Sequence, residues 1–214
     1  MARTLKYALE RGGPKRLAIR KRWFWRKTEL SLDGQSLGPP IPDMAALRAG
    51  REYPMPDGRR LLVGFQKQLG SAGLALSVNG RPVPGAINDP RTTIRYAGKL
   101  LFYLAGLNLF IAGLVLSLTD RLNELAAVVG GFGLVMLALG VGVFHFRSRV
   151  ALVIAIVLEI ADGIANLALV PSRSPPIGPI IFRTLIVLAL IRAYKAVADA
   201  RRLEVDEQLD KAFD

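Results

Sequence analysis

The chain has 214 residues and a formal net charge of +12, with 29 Lys or Arg against 17 Asp or Glu. It contains no cysteine and one histidine, which excludes disulfides, thiolate chemistry and the usual Cys-containing zinc sites. The length is sufficient for a set of membrane-spanning helices and one small domain.

The first 27 residues are basic, with ten Lys or Arg and one acid. Their densest part interleaves cations with aromatic rings, and its candidate contact residues are Arg20, Lys21, Arg22, Trp23, Trp25, Arg26 and Lys27. One interpretation is a β-strand with aromatic rings in the core and cations outside. Another is contact with anionic lipid headgroups, and a third is nucleic-acid binding. Nucleic acid is the least favoured partner, because a domain tethered beside a negative leaflet meets lipid first.

Residues 16–85 carry the signals of antiparallel β-structure. Alternating segments meet at Asp33-Gly34, at Asp57-Gly58 and at Asn79-Gly80, which are strong hairpin signals. The spacing predicts a compact β-sandwich or partial barrel of six or seven strands within a cytoplasmic domain of residues 1–90. Residues 44–49 are predicted to form one helical turn, with Asp43 as its N-cap and Gly50 at its end.

Four apolar segments follow a basic juxtamembrane linker at residues 91–99. They comprise residues 100–118, 125–146, 150–170 and 177–191. The first three are each long enough to cross about 30 Å of hydrocarbon, and the fourth is shorter, but nothing stops its helix from continuing beyond residue 191. Short connections predict an up-down-up-down four-helix transmembrane bundle over residues 100–191. The glycines of the second segment predict close helix packing. Residues 192–214 are predicted to be a cytoplasmic helical extension with an acidic tail. The predicted fold class is an α+β membrane protein.

Lys and Arg are distributed unevenly on the two sides of these segments. Nine flank them on one side, against Arg121 and Arg173 on the other. Cations accumulate on the cytoplasmic side of membrane proteins. The N-terminus also lacks the apolar core of a signal peptide. We therefore expect a multi-pass protein of the bacterial inner membrane, with both termini in the cytoplasm.

The third and fourth segments contain ionisable side chains, which are costly inside a bilayer and usually face a partner or a cavity. Glu159, Asp162 and Asn166 lie on one face of a helix, and Arg183 lies at a similar depth in the next segment. We predict an Asp162–Arg183 ion pair within a buried polar cluster that Asn108 of the first segment could join. A structural clasp is favoured over a proton or ion relay, since a relay generally needs more polar groups along a path.

The layout resembles uncharacterised bacterial membrane proteins that have an N-terminal cytoplasmic β domain followed by several transmembrane helices. The stretches that carry this resemblance are residues 7–13, 32–34, 48–52, 56–58 and 82–85. The repeated strand-Asp-Gly-strand pattern is also similar to the β domain of Fas apoptosis inhibitory molecule. Neither resemblance implies an activity.

The sequence has no Gly-rich phosphate loop, G-x-S-x-G elbow or H-E-x-x-H motif, and it predicts no catalytic, cofactor-binding or metal-binding residue. We expect a non-enzymatic protein whose helices anchor a β domain in the lipid bilayer. That domain is expected to bind anionic lipid headgroups, an unidentified protein partner or a second copy of the chain. The alternative is a small transporter or channel-like oligomer that uses the buried polar cluster.

Overall fold

The computed structural model describes residues 3–22, 25, 27–68, 71–118, 123–169 and 177–213. The chain divides into two compact units, Met1–Thr92 and Thr93–Asp214. Arg121 and Arg173, on which the predicted orientation partly depends, lie outside the described residues.

The first unit contains two antiparallel sheets of four strands each. The first sheet has the order β1 (Arg3–Tyr7), β2 (Leu17–Lys21), β3 (Glu29–Leu32) and β4 (Gln35–Ser36). The second has the order β5 (Arg51–Pro54), β6 (Arg60–Gln68), β7 (Ser71–Val78) and β8 (Arg81–Pro82). The antiparallel β-structure is as predicted, but the described residues of this unit contain eight strands instead of six or seven. The two-residue strands β4 and β8 are too short to show an alternation in the sequence.

Side chains from both sheets form one buried core. In the first sheet Ile19 pairs with Leu30, and in the second Val63 pairs with Leu76. All four are at most 2% exposed and belong to the same cluster. Successive side chains of a strand point to opposite faces, so the intervening residues, such as Arg20 and Leu62, are exposed.

Two of the predicted hairpin turns have the backbone that their residues favour. Asp33 and Gly34 have φ values of 51° and 85°, and Asn79 and Gly80 have values of 48° and 80°. Positive φ at both central positions is the signature of the type I′ turn. At the third predicted turn, Gly58 has a positive φ of 81° and Asp57 does not, so that hairpin turns by a different geometry.

Helix α1 (Met44–Ala49) connects the two sheets and begins and ends where the sequence predicts. The Asp43 carboxylate accepts a hydrogen bond of 2.8 Å from the Ala46 backbone N–H. This satisfies one of the amide groups that a helix leaves unpaired in its first turn. Gly50 ends the helix with a φ of 80°, a conformation that costs glycine little.

The second unit is built from long helices. They are α2 (Pro90–Leu118), α3 (Asn123–Phe146), α4 (Arg149–Leu169) and α5 (Ile177–Phe213). The predicted linker 91–99 is therefore helical and forms the first part of α2. Asp89 begins this helix, because its carboxylate accepts a hydrogen bond of 3.0 Å from the Arg91 backbone N–H. Helix α5 continues through the predicted extension and most of the acidic tail.

Two of the described helices, α2 over Pro90–Ser117 and α3 over Asn123–Phe146, are long and apolar enough to cross a membrane. All four long helices contribute to one buried cluster, which includes Leu101, Met136, Leu152 and Leu190. Helices α2 and α3 are antiparallel, since the start of α2 faces the end of α3.

Glycines permit a close approach between α2 and α3. A Cβ atom built on Gly140 would lie 2.8 Å from the Phe102 ring, and one on Gly133 would lie 3.0 Å from the Leu109 side chain. Larger residues at these positions would force the helices apart. Gly131 faces open space, so the close packing predicted for the glycines of this segment does not extend to all of them.

Candidate functional site

The predicted ion pair between α4 and α5 is present. The Arg183 guanidinium donates a hydrogen bond to the Asp162 carboxylate and forms a salt bridge with it. The Arg183 side chain is 27% exposed and the Asp162 side chain is 35% exposed. Gly163 lies beside this contact, and a Cβ atom there would lie at an ordinary van der Waals distance of 3.6 Å from Arg183 Cδ.

Glu159 is the most deeply buried member of this group, with 4% of its surface exposed. It lies three residues before Asp162, so the two carboxyl groups occupy one face of α4. Both Asp162 and Arg183 are close enough to interact with it electrostatically. The structure therefore brings together two carboxyl groups and one guanidinium at the α4–α5 interface.

The two asparagines of the predicted cluster have different positions. The Asn108 side-chain amide donates a hydrogen bond of 2.9 Å to the Leu104 carbonyl in its own helix. Its Cβ atom lies opposite Gly133, at the α2–α3 interface. Asn166 belongs to α4, but its side chain lies outside the described part of the structure.

The charge arrangement permits two kinds of chemistry. Arg183 offsets one negative charge through Asp162, and Glu159 is then a second acid with little solvent contact. Such a group serves either as a structural element or as a site of proton exchange. Within the described residues, no group of three or more His, Cys, Asp or Glu side chains is arranged to hold a metal ion.

The basic aromatic stretch begins at the end of β2 and continues beyond it. Lys21 Nζ lies 3.8 Å from the centroid of the Trp25 ring, which is within the range of a cation–π contact. The same ring packs edge-on against Phe65, with 5.5 Å between the centroids. Partial burial lowers the pKa of the Lys21 ammonium, and the nearby charge of Arg3 lowers it further.

Three other cations of the stretch, Arg20, Arg22 and Lys27, are exposed. Trp25 is partly buried against the core of the β domain and has a left-handed backbone with φ of 63°. The described stretch thus combines a fixed ring with exposed positive charges, and only its first part is strand. Trp23 and Arg26 lie outside the described residues.

Sequence reasoning missed a second ion pair in the helical unit. Arg147, between α3 and α4, pairs with Glu204 near the end of α5. With 57 residues between them, no local pattern links the two side chains, and Glu204 falls in the predicted acidic tail.

Comparison with models of protein families, with curated proteins and with solved structures finds no match to this chain. The chemistry of its own residues therefore carries the functional argument.

Proposed function

We propose that this chain is a non-enzymatic, multi-pass protein of the bacterial inner membrane. Its helices α2–α5 form a four-helix transmembrane bundle that anchors the β domain, a β-sandwich, on the cytoplasmic side. There, the exposed cations around Trp25 contact anionic lipid headgroups or an acidic protein partner.

One observation carries the membrane part of this proposal. The long helices share a core yet expose large apolar side chains on their outer faces, such as Phe110 at 69%, Val128 at 70% and Ile164 at 63%. Among the described large apolar residues of the β unit, only Leu62 is exposed, and its exposed fraction is 43%. Extensive apolar surface on every long helix is what a lipid environment requires, whereas water would disfavour it.

The surface part rests on charge and geometry. Each cation near a negative leaflet contributes roughly 1 kcal/mol to binding. Arg20, Arg22 and Lys27 are exposed beside a ring that Phe65 and the domain core hold in place. Holding the aromatic group fixed reduces the entropy lost when the surface binds.

The orientation is tested with reporter fusions in the full-length protein. Fusions at Arg22, Arg147 and the C-terminus are expected to report the cytoplasm, and fusions at Arg121 and Arg173 the periplasm. The protein should also stay in membranes washed with alkaline carbonate. A periplasmic β domain, or release by carbonate, contradicts the proposal.

The lipid contact has a built-in spectroscopic probe. The chain has two tryptophans, Trp23 and Trp25, and both belong to the basic aromatic stretch. In nanodiscs, bromine-labelled lipids should quench their fluorescence when phosphatidylglycerol is present, and salt should relieve the quenching. Replacing Arg20, Lys21, Arg22 and Lys27 by Gln should remove most of it. Equal quenching in phosphatidylcholine discs contradicts a headgroup contact and leaves a protein partner to be sought by cross-linking.

A buried acid favours a second candidate function, a small transporter or channel-like oligomer. Glu159 is 4% exposed beside the Asp162–Arg183 pair, which is a suitable environment for a titrating group. Proton flux into liposomes that is lost in Glu159→Gln would support transport. Flux that is absent from the parent protein, or unaffected by this substitution, supports the anchor.

A further inference from the structure

A cavity of about 260 Å³ lies where α3 ends beside the later part of α5. Its polar lining consists of His145 and Arg147 from the α3 end and of Arg201 and Glu204 from α5. Neither candidate site described above includes these residues. A water molecule in the liquid occupies about 30 Å³, so the cavity has room for a phosphate group and its ester oxygens.

The local backbone fixes Arg147 at this cavity. Its N–H donates to the Val143 carbonyl, and the Ser148 N–H donates to the Gly142 carbonyl, both at 3.2 Å. The Arg147 bond is that of the αL motif that ends many helices, in which the residue after the helix is left-handed and is usually glycine. Arg147 adopts it with φ of 49°. Its guanidinium meets Glu204 of α5 in an ion pair.

The cavity region carries an excess of positive charge. Arg147 and Arg201 contribute two cations against the single carboxylate of Glu204. Arg149, two residues after Arg147, packs 5.8 Å from the ring of Tyr194, which lies one turn before the cavity on α5. The buried Nε of Arg149 has no hydrogen-bond partner among the described residues. An anion with several oxygen acceptors suits such a set of guanidinium donors.

The apolar surroundings indicate where this anion comes from. Phe146, which also lines the cavity, is 76% exposed, and the nearby Val150 is 68% exposed. A soluble anion offers nothing to cover these side chains, whereas the acyl chains of a lipid do. Basic pockets between transmembrane helices at the cytoplasmic surface are suited to lipid headgroups.

We propose that this cavity binds the phosphate headgroup of an anionic phospholipid. Arg147 and Arg201 contact the phosphate oxygens, and Phe146 lies beside the first acyl carbons. Glu204 competes with the phosphate for Arg147 and so weakens binding. This inference rests on the membrane insertion that is part of the proposed function, but it does not depend on the surface around Trp25.

The test uses native mass spectrometry of the full-length protein in detergent micelles. Phosphatidylglycerol, phosphatidylcholine and glycerol phosphate are titrated separately, so that an anionic lipid, a neutral lipid and a free phosphate are compared. We expect phosphatidylglycerol to bind most tightly. Arg201→Gln should weaken its binding about fivefold, the factor that one cation at a membrane surface supplies. Arg202→Gln is the matched control, because Arg202 is the next residue, is exposed and does not line the cavity.

Glu204→Gln gives a result of the opposite sign. Removing the competing carboxylate should tighten phosphatidylglycerol binding, whereas a purely structural role for the Arg147–Glu204 pair predicts lower thermal stability and no gain in binding. Circular dichroism checks that each variant is folded. If Glu204→Gln does not fold, the comparison of Arg201→Gln with Arg202→Gln decides.

Four outcomes overturn the proposal: equal effects of the two Arg substitutions, no preference over phosphatidylcholine, equally tight binding of glycerol phosphate, or no gain in binding by a folded Glu204→Gln variant. Carbonate extraction separates this failure from failure of the proposed function. A chain that carbonate releases contradicts membrane insertion itself. A chain that stays in the membrane while the two Arg variants behave alike contradicts only the headgroup site.

Discussion

Breaking the Asp162–Arg183 ion pair between α4 and α5 should destabilise the helical unit, and the size of the effect depends on how deeply the pair is buried. Removing one partner of a fully buried pair costs about 3–5 kcal/mol, and exposed pairs contribute about 0.2–1 kcal/mol. The Arg183 and Asp162 side chains are 27% and 35% exposed, between these limits. In the proposed bilayer that exposed part faces neighbouring helices or hydrocarbon, and water does not screen it. We therefore expect Asp162→Asn and Arg183→Leu each to cost about 2–3 kcal/mol.

Thermal unfolding in detergent, followed by the helical circular dichroism signal, measures this cost. At about 2–4 °C per kcal/mol, each single variant should lower Tm by roughly 4–12 °C. The double variant should recover about 1–2 kcal/mol relative to the sum of the two losses, because no charge is then left without its partner. Arg192→Leu, which removes an exposed cation of the same helix, is the control and should change stability by less than about 0.5 kcal/mol.

Additive losses in the double variant would refute the reasoning. They would mean that Asp162 and Arg183 stabilise the unit independently, through packing or through other partners. An unchanged Tm in both single variants would mean that the contact contributes nothing measurable, as many exposed pairs do.

Three further predictions concern other parts of the molecule. Gly140→Ala should lower Tm, because its Cβ would lie 2.8 Å from the Phe102 ring, while Gly131→Ala faces open space and should be neutral or stabilising. The hydrogen bond from Arg16 lowers the pKa of Asp33, so the pair contributes stability above the unfolded carboxyl pKa of about 3.9 and loses it as pH falls through the lower folded value. Asp33→Asn should therefore unfold slightly earlier than the parent at pH 7, and the difference should vanish in acid. If Glu159 belongs to a clasp, Glu159→Gln should lower Tm less than Asp162→Asn does. The pH dependence of Tm should then be the same in Glu159→Gln as in the parent protein.

Local chemistry made several elements predictable. The Asp33-Gly34 turn and the start of α1 at Asp43 depend on the conformations and hydrogen bonds of a few adjacent residues. The Asp162–Arg183 pair was predictable for a related reason: a short connection makes neighbouring helices antiparallel, and counting residues from it gives both depths.

Two kinds of feature were not predictable from adjacent residues. Some depend on how a helix is rotated about its own axis, and others lie in segments whose apolar alternation is weak. Gly131 and Gly133 look alike in the sequence, yet only Gly133 faces α2, and the rotation of α3 decides this. The Arg147–Glu204 pair depends in the same way on the rotation of α5. Strand β1 (Arg3–Tyr7) was missed, because it is an edge strand with mostly exposed residues and carries little apolar alternation.

The two helix hairpins of the second unit associate by different means, and their sequences explain the difference. In lipid, apolar side chains gain nothing by moving from acyl chains to another helix, so close packing or polar contacts must specify the partner. Helices α2 and α3, the two that are apolar enough to cross a membrane, meet through glycines such as Gly133 and Gly140. Helices α4 and α5 share buried apolar residues such as Leu152 and Leu190 and add a polar contact between Asp162 and Arg183, each carrying a charge that the other offsets. If both helices cross the bilayer as proposed, insertion of one without the other would leave an unpaired charge in hydrocarbon. In the proposed topology, the second hairpin therefore depends on its two helices entering the bilayer together, whereas α2 and α3 would each be able to enter alone.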